Sequence, residues 1–288
     1  MPEPWLGGES TVMRMIDTHL HLVYQERFSY PWLGDAPALN RNFALDDYLP
    51  QAQAAGITDM LHMEVDVAEA DIEPETAFVT GLGRGVIGAI AACRPESEGF
   101  AAQLERLAAN PKVKGLRRIL HQSPDELAQR PIFAENIQRL AAHKLTYDFC
   151  VLPGQLPIAA AIAKSAPDVQ FVVDHCGVPN VKDKAFEPWR ANMAAIAELP
   201  NVAAKVSGVI AYGDPINWTV EDLRPFVEHT IGVFGWDRVV WGSDWPVCTL
   251  TADLGRWVAA THELIKGASE DEKARLWHRN AERIYRLD

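Results

Sequence analysis

Eight short apolar runs alternate with longer amphipathic segments along this chain, and no other feature so narrows the folds open to it. The runs fall at 12–18, 57–63, 86–92, 115–120, 145–151, 170–174, 202–206 and 239–242. Their lengths and their Val, Ile and aromatic content suit buried strands. Between them lie helical patterns at 45–55, 98–109, 132–143, 156–165, 188–199, 220–234, 254–266 and 271–286. Several have recognisable ends: Gly56 follows the first, Pro131 opens the third, and Thr219 precedes the one that stops near Gly235. Strand then helix, repeated about eight times, argues for parallel strands joined by helical crossovers. A doubly wound open sheet would want a glycine-rich phosphate turn after its first strand, where this chain has Asp17-Thr18-His19-Leu20-His21. The expected fold is α/β, a (β/α)8 TIM barrel forming a single domain over 13–288, with 1–12 as a flexible lead-in. The 288 residues, 48% of them hydrophobic, suffice for one large core, since such barrels run to about 250 residues.

The formal net charge is −12. An acidic surface repels phosphate backbones and anionic lipid, so the expected partner is a small molecule rather than nucleic acid or a membrane, with homo-oligomerisation left open. No run approaches the length of a membrane span, and the N-terminus lacks the basic-then-apolar pattern of a signal peptide. The cysteines Cys93, Cys150, Cys176 and Cys248 form no CxxC pair, and the first three lie in or beside apolar runs, as free buried thiols do. A reducing, cytoplasmic setting is the expectation.

Chemistry is expected where the strands end, because polar residues at the C-terminal ends of barrel strands converge on one mouth. Side chains alternate across a strand, so His19 and His21 share a face, where two imidazoles suit a metal ion, a carbonyl oxygen or an anion. The second run ends in His62-Met63-Glu64, the fourth carries Arg117-Arg118, and the fifth carries Tyr147-Asp148. The sixth ends in Asp174-His175-Cys176-Gly177, the seventh holds Lys205 and Ser207, and the eighth leads into Ser243-Asp244-Trp245. Plainer readings stand beside these. A lone HxH arises often by chance, and it reads as a site only together with His175 and Asp244. Glu64 reads equally as a solvated loop acid, and Lys205 as an ion-paired core residue. Adjacent strand residues face opposite ways, so one arginine enters the mouth, and Arg117 is assigned to it. Trp32, in the long irregular stretch 23–42, is expected to form a lid or pocket wall. His62 and His121 are read as structural, the latter within reach of the mouth. His143, His229, His262 and His278 fall in helical patterns and are read as surface residues.

Together DTHLH (17–21), KGLRR (114–118), VVDHCGVP (172–179), KVSG (205–208) and WGSDWPV (241–247) resemble the amidohydrolase superfamily. More narrowly they resemble its amidohydrolase 2 branch, in the group of sugar-acid lactonases that act on L-fuconolactone or L-rhamnonolactone. The resemblance runs from Met15 to about Tyr285 and implies a (β/α)8 barrel. It also implies that His19, His21, His175 and Asp244 form the catalytic cluster. The full superfamily site binds two metals through a bridging Lys or acid on strand four. Here that region offers Arg117 and Arg118, so a bridged pair of ions is not expected. Three imidazoles and a carboxylate suit one Zn2+ with an open position. Members of the lactonase branch are known that need no metal, and the expectation leans that way, with a single Zn2+ on His19, His21, His175 and Asp244 as the alternative.

The reaction expected from the resemblance is the opening of an aldonolactone to its free sugar acid. Asp244 takes a proton from the attacking water and returns it to the leaving alkoxide, while His19, His21, His175 and Arg117 polarise the carbonyl. Ser207 lacks the GxSxG elbow of a serine nucleophile. Several substrate hydroxyls want mixed donors and acceptors, and Glu64, Trp32, Tyr147, Asp148 and Lys205 are the expected contacts. The rival readings are a zinc-dependent aromatic-acid decarboxylase, a dicarboxylate lactone hydrolase of aromatic degradation, a metal-dependent amidase, and a barrel that binds a sugar acid without catalysis.

Overall fold

All eight expected strands form in the computed structural model, which describes residues 13–287; the lead-in expected over 1–12 lies outside those residues. The strands are β1 (Ile16–Leu20), β2 (Asp59–Met63), β3 (Val86–Ala92), β4 (Val113–Ile119), β5 (Thr146–Cys150), β6 (Phe171–Val173), β7 (Val202–Val206) and β8 (Val239–Trp241). Each pairs in parallel with the next in chain order. The ring closes just past the ends of β1 and β8. There Asp244 N–H donates to His19 O at 2.8 Å, and His21 N–H donates to Trp245 O at 2.8 Å. The seam of the barrel therefore runs through two of the motifs singled out above.

Parallel strands carry helices on their outer face and must bury both sides. Inside the ring, Ile16, Leu61, Met63, Ile90, Val172, Ala203 and Val240 pack with Ile284 and Tyr285 from the C-terminal segment. That segment also meets residues just before or at the strand starts, through Arg14 to Glu282 and Lys114 to the Arg286 carbonyl. It thus covers the end of the barrel opposite the strand tips. A second, larger apolar cluster fills the layer between strands and helices. Helix α1 (Leu45–Ala55) illustrates why these segments are helical. Leu45, Tyr48 and Ala52 form its buried stripe, the Asp47 carboxylate accepts the Ala44 N–H at 2.9 Å, and Gly56 ends it at φ 83. Among the described residues no helix is long and apolar enough to cross a membrane.

Three elements depart from expectation. Helix α2 (Ile72–Gly81) has no apolar periodicity because its buried face includes Glu75, Thr76 and Thr80. The Thr hydroxyls are satisfied within the helix, by Ile72 O at 2.8 Å and Thr76 O at 2.7 Å, and so tolerate burial. The expected helix 271–286 forms as one helical run over 270–284, interrupted by a π turn over Arg275–Arg279. The first strand, expected over 12–18, runs over Ile16–Leu20 and contains His19, and its register against β2 shifts between Asp17 and Leu20.

Candidate active site

That shift is organised by Asp17. Its carboxylate accepts the N–H of His19 at 3.0 Å, the N–H of Ser243 at 2.8 Å and the Tyr48 hydroxyl at 2.6 Å. It thereby ties the end of β1 to the loop that carries Asp244. His175 is presented differently. Past β6 the chain turns left-handed over four residues, with φ 53 at His175, 51 at Cys176, 72 at Gly177 and 52 at Val178. A non-glycine residue in this region costs about 1–2 kcal/mol, and a β-branched one such as Val178 is least suited to it. Val178 N–H to His175 O at 2.9 Å and Trp189 Nε1–H to Cys176 O at 2.7 Å hold the turn. Asp244 is also left-handed, at φ 56. Such strain collects where the surroundings fix side chains for function.

The side chains converge. Asp244 Oδ1 lies 3.4 Å from His21 Nε2 and 3.7 Å from His19 Nε2, and Oδ2 lies 3.8 Å from His175 Nδ1. Gly208 sits against this pair, where any Cβ would collide with both His175 and Asp244. A contact to a backbone carbonyl assigns the tautomer of His21. His21 Nδ1 is 3.0 Å from Met63 O, a pure acceptor, so Nδ1 carries the proton and Nε2 is bare. His19 Nε2 lies 3.1 Å from that bare nitrogen and 3.3 Å from Arg117 Nη1, while His19 Nδ1 lies 3.2 Å from Lys205 Nζ and 3.4 Å from Asp174 Oδ1. Burial holds both imidazoles neutral, pushing His21 down to about 3 and His19 well below its ordinary value. Burial, partly offset by His175 and Arg117, pushes the Asp244 carboxyl up to about 6.

Beneath the cluster lies a buried ionic layer. Arg117 donates from Nε to Glu64 Oε1 at 2.7 Å, from Nη2 to Glu64 O at 2.9 Å, and from Nη1 to Asp174 Oδ2 at 3.2 Å. Lys205 Nζ bridges Asp148 Oδ2 at 2.8 Å and Asp174 Oδ1 at 3.0 Å, and the Tyr285 hydroxyl donates to Asp148 at 2.9 Å. Burial opposes both ionised partners of Asp174 and Lys205. The attraction between them outweighs it, so Asp174 stays ionised and Lys205 protonated.

Above the floor opens a cavity of about 260 Å³. His21, Arg117, His175 and Asp244 reach it from below; Trp32, Leu39, Val65, Ile119 and Val247 form apolar walls; Asp66, His121, Gln122 and Tyr212 add polar edges. Trp32 is anchored by its Nε1–H to Val65 O at 2.8 Å. Of the residues expected at the site, His19, His21, His175, Asp244 and Arg117 come together, and Trp32 joins the wall. Glu64, Asp148 and Lys205 are enclosed in the ionic layer rather than open to the cavity. Tyr147 faces the helices, packed edge-on against Phe133 and Phe149, because it alternates with the inward Asp148. Arg118 likewise faces outward, to Glu96 at 3.0 Å. Sequence reasoning left Asp174, Asp66 and Tyr212 without a role and gave His121 a structural one. Asp174 had a signal, a carboxylate beside His175 at a strand end; Tyr212 and Asp66 sit in loops with none.

The donor set fits one metal ion. His19, His21 and Asp244 offer ligand atoms within 4.8 Å of one another, and so do His19, Asp174 and His175. The buried Asp174 Oδ1, 3.0 Å from Lys205 Nζ, also lies 3.4 Å from His19 Nδ1. An imidazole that binds a metal through one nitrogen carries its proton on the other and gives it to a carboxylate, the position Asp174 Oδ1 holds beside His19 Nδ1.

Comparison with known proteins accords with this geometry. A family model described as Amidohydrolase matches residues 16–287. An L-fucono-1,5-lactonase of Burkholderia multivorans is 30% identical over 94% of this chain and 96% of its own length. One from Burkholderia ambifaria is 29% identical over 95% and 96%. A crystal structure of an amidohydrolase from Burkholderia multivorans with bound zinc superposes with a TM-score of 0.86 at 27% identity, over 95% of this chain and 99% of that one.

Proposed function

The chain belongs to the amidohydrolase family, and we propose that it hydrolyses a sugar lactone to the free sugar acid by Asp244-assisted attack of water. The observation that carries this reading is the meeting of Asp244 with His19, His21 and His175 on the floor of one cavity. No protein nucleophile competes there among the described residues. Ser207 is fully buried and does not line the cavity, and burial pushes the Cys150 thiol up to about 12. The lactonase names of the Burkholderia relatives point to the same bond.

Asp244 accepts the proton of the attacking water and holds it until the ring oxygen leaves as an alkoxide, which takes it back. A carboxylate desolvated as Asp244 is makes a stronger base than an exposed one. Arg117, fixed by Glu64 and Asp174, places positive charge beside the floor and stabilises charge gathering on the carbonyl oxygen. Tyr212, with its ring 6.2 Å from that of His175, lines the cavity with a hydroxyl kept protonated by burial. Trp32, Leu39 and Val247 keep bulk water from the ring. His19, His21, Asp244 and His175 would hold a single zinc, which would polarise the carbonyl or the water. The apolar walls suit the carbon face of a sugar ring and the polar edges its hydroxyls.

The test is a panel of aldono-1,4- and 1,5-lactones followed with a pH indicator. Wild-type protein should open at least one, and Asp244→Asn should lose about 10²–10⁴ of kcat, the range spanned by a general base. Near-normal turnover by Asp244→Asn would overturn the assignment of the base.

A further inference from the structure

His121 lines the cavity yet takes no part in the cluster on its floor, and it is held more firmly than its loop position requires. It lies just past β4, and its backbone N–H donates to Cys150 O at 3.1 Å. Its ring is tied to the same residue, with Nδ1 3.1 Å from Cys150 Sγ. The buried thiol keeps its proton, which leaves its S–H able to donate to Nδ1. Burial and the neighbouring Arg117 lower the basicity of the imidazole, so the ring is neutral and carries one proton. When Nδ1 accepts from Cys150, that proton is on Nε2, for which no hydrogen bond is formed among the described residues.

We propose that His121, locked by Cys150 as its Nε2–H tautomer, is a substrate-recognition donor of this cavity and binds an acceptor oxygen on a hydroxyl of the sugar lactone. The inference rests on the lactone reading above. A free imidazole can present either a donor or an acceptor, whereas one whose Nδ1 is occupied presents only N–H. Cys150 is in this sense a positioning residue, acting on substrate through His121. The contact is made to a group that does not react, so it holds ground state and transition state alike and enters KM rather than kcat.

The experiment measures kcat and KM separately on an L-fuconolactone, with wild type, His121→Phe, His121→Gln and Cys150→Ala, each checked by thermal melting. His121→Phe keeps a ring of similar size without the N–H and should raise KM about five- to tenfold, the worth of one neutral hydrogen bond, with kcat nearly unchanged. His121→Gln restores an N–H at similar reach and should recover most of the loss. Cys150→Ala frees the ring to protonate on either nitrogen, and halving the competent form should raise KM about twofold. A fall in kcat at constant KM, failure of His121→Gln to rescue, or an unchanged KM in His121→Phe overturns the proposal while leaving lactone hydrolysis standing. Wild-type protein inert toward every lactone defeats the lactone reading itself, and this inference with it.

Discussion

Gly208→Ala would test the spacing of the site more sharply than removal of any reacting group. Gly208 has φ +61, and a Cβ built there falls 2.4 Å from His175 Nδ1 and 2.8 Å from Asp244 Oδ2, where ordinary contact begins at 3.4 Å. The imidazole must retreat by about 1 Å, and a misplacement of that size costs about 10²-fold in rate. The backbone adds its own penalty, because alanine in the left-handed region costs about 1–2 kcal/mol. In a domain this large that lowers Tm by only about 2–8 °C. Activity and stability should therefore part company. Lactone turnover falls about 10²-fold or more while the melting curve keeps its shape and moves a few degrees. Indicator-coupled hydrolysis and a circular dichroism melt read the two quantities. Turnover within twofold of wild type would refute the reasoning, since it would mean that the approach of His175 to Asp244 is irrelevant to the reaction.

Lys205→Met leaves Asp148 and Asp174 buried without their shared cation and should cost about 3–5 kcal/mol in urea unfolding, a midpoint equal to wild type being the contrary result. His62 and Glu75 face each other at 3.8 Å between β2 and α2 with no hydrogen bond to either His62 nitrogen, and burial pushes the imidazole down to about 3. Below the unfolded histidine value of about 6.5 the unfolded chain binds a proton that the folded one refuses, so stability present above that value is lost as pH falls toward 3, by about 2 kcal/mol at pH 5 from this residue alone. His62→Leu should flatten the decline of Tm between pH 7 and pH 5, and an unaltered slope would assign the acid lability to the other buried histidines. The protein should bind one zinc ion per chain, and Asp174→Asn should weaken that binding about 10–100-fold in competition with a chromophoric chelator. Equal affinity in the variant would show that Asp174 does not orient His19.

The barrel was legible because its strands are short, largely apolar runs and its helices, α1 above all, carry an apolar stripe, in α1 bounded by Gly56. Helix α2 was not, because it buries threonines whose hydroxyls turn back on their own helix. At the site, alternation along β4 separated Arg117 from Arg118. The same alternation, applied to β5, sends Tyr147 to the helix layer while Asp148 faces inward. The role of Asp174 was hidden by the left-handed turn that follows it, since no rule of strand periodicity continues through four residues of positive φ. Lys205 looked open to two readings, and what decides between them is the pair of carboxylates brought from β5 and from the end of β6, which no single stretch of sequence displays.

Closure of the ring by the bonds from Asp244 to His19 and from His21 to Trp245 has a consequence for how the protein comes into being. His19 and His21 leave the ribosome more than two hundred residues before Asp244, which the seam sets beside them. A nascent or truncated chain with seven strands in place can own most of a core and remain inert. The seam that joins first strand to last is therefore also the join that brings the two halves of the cluster together.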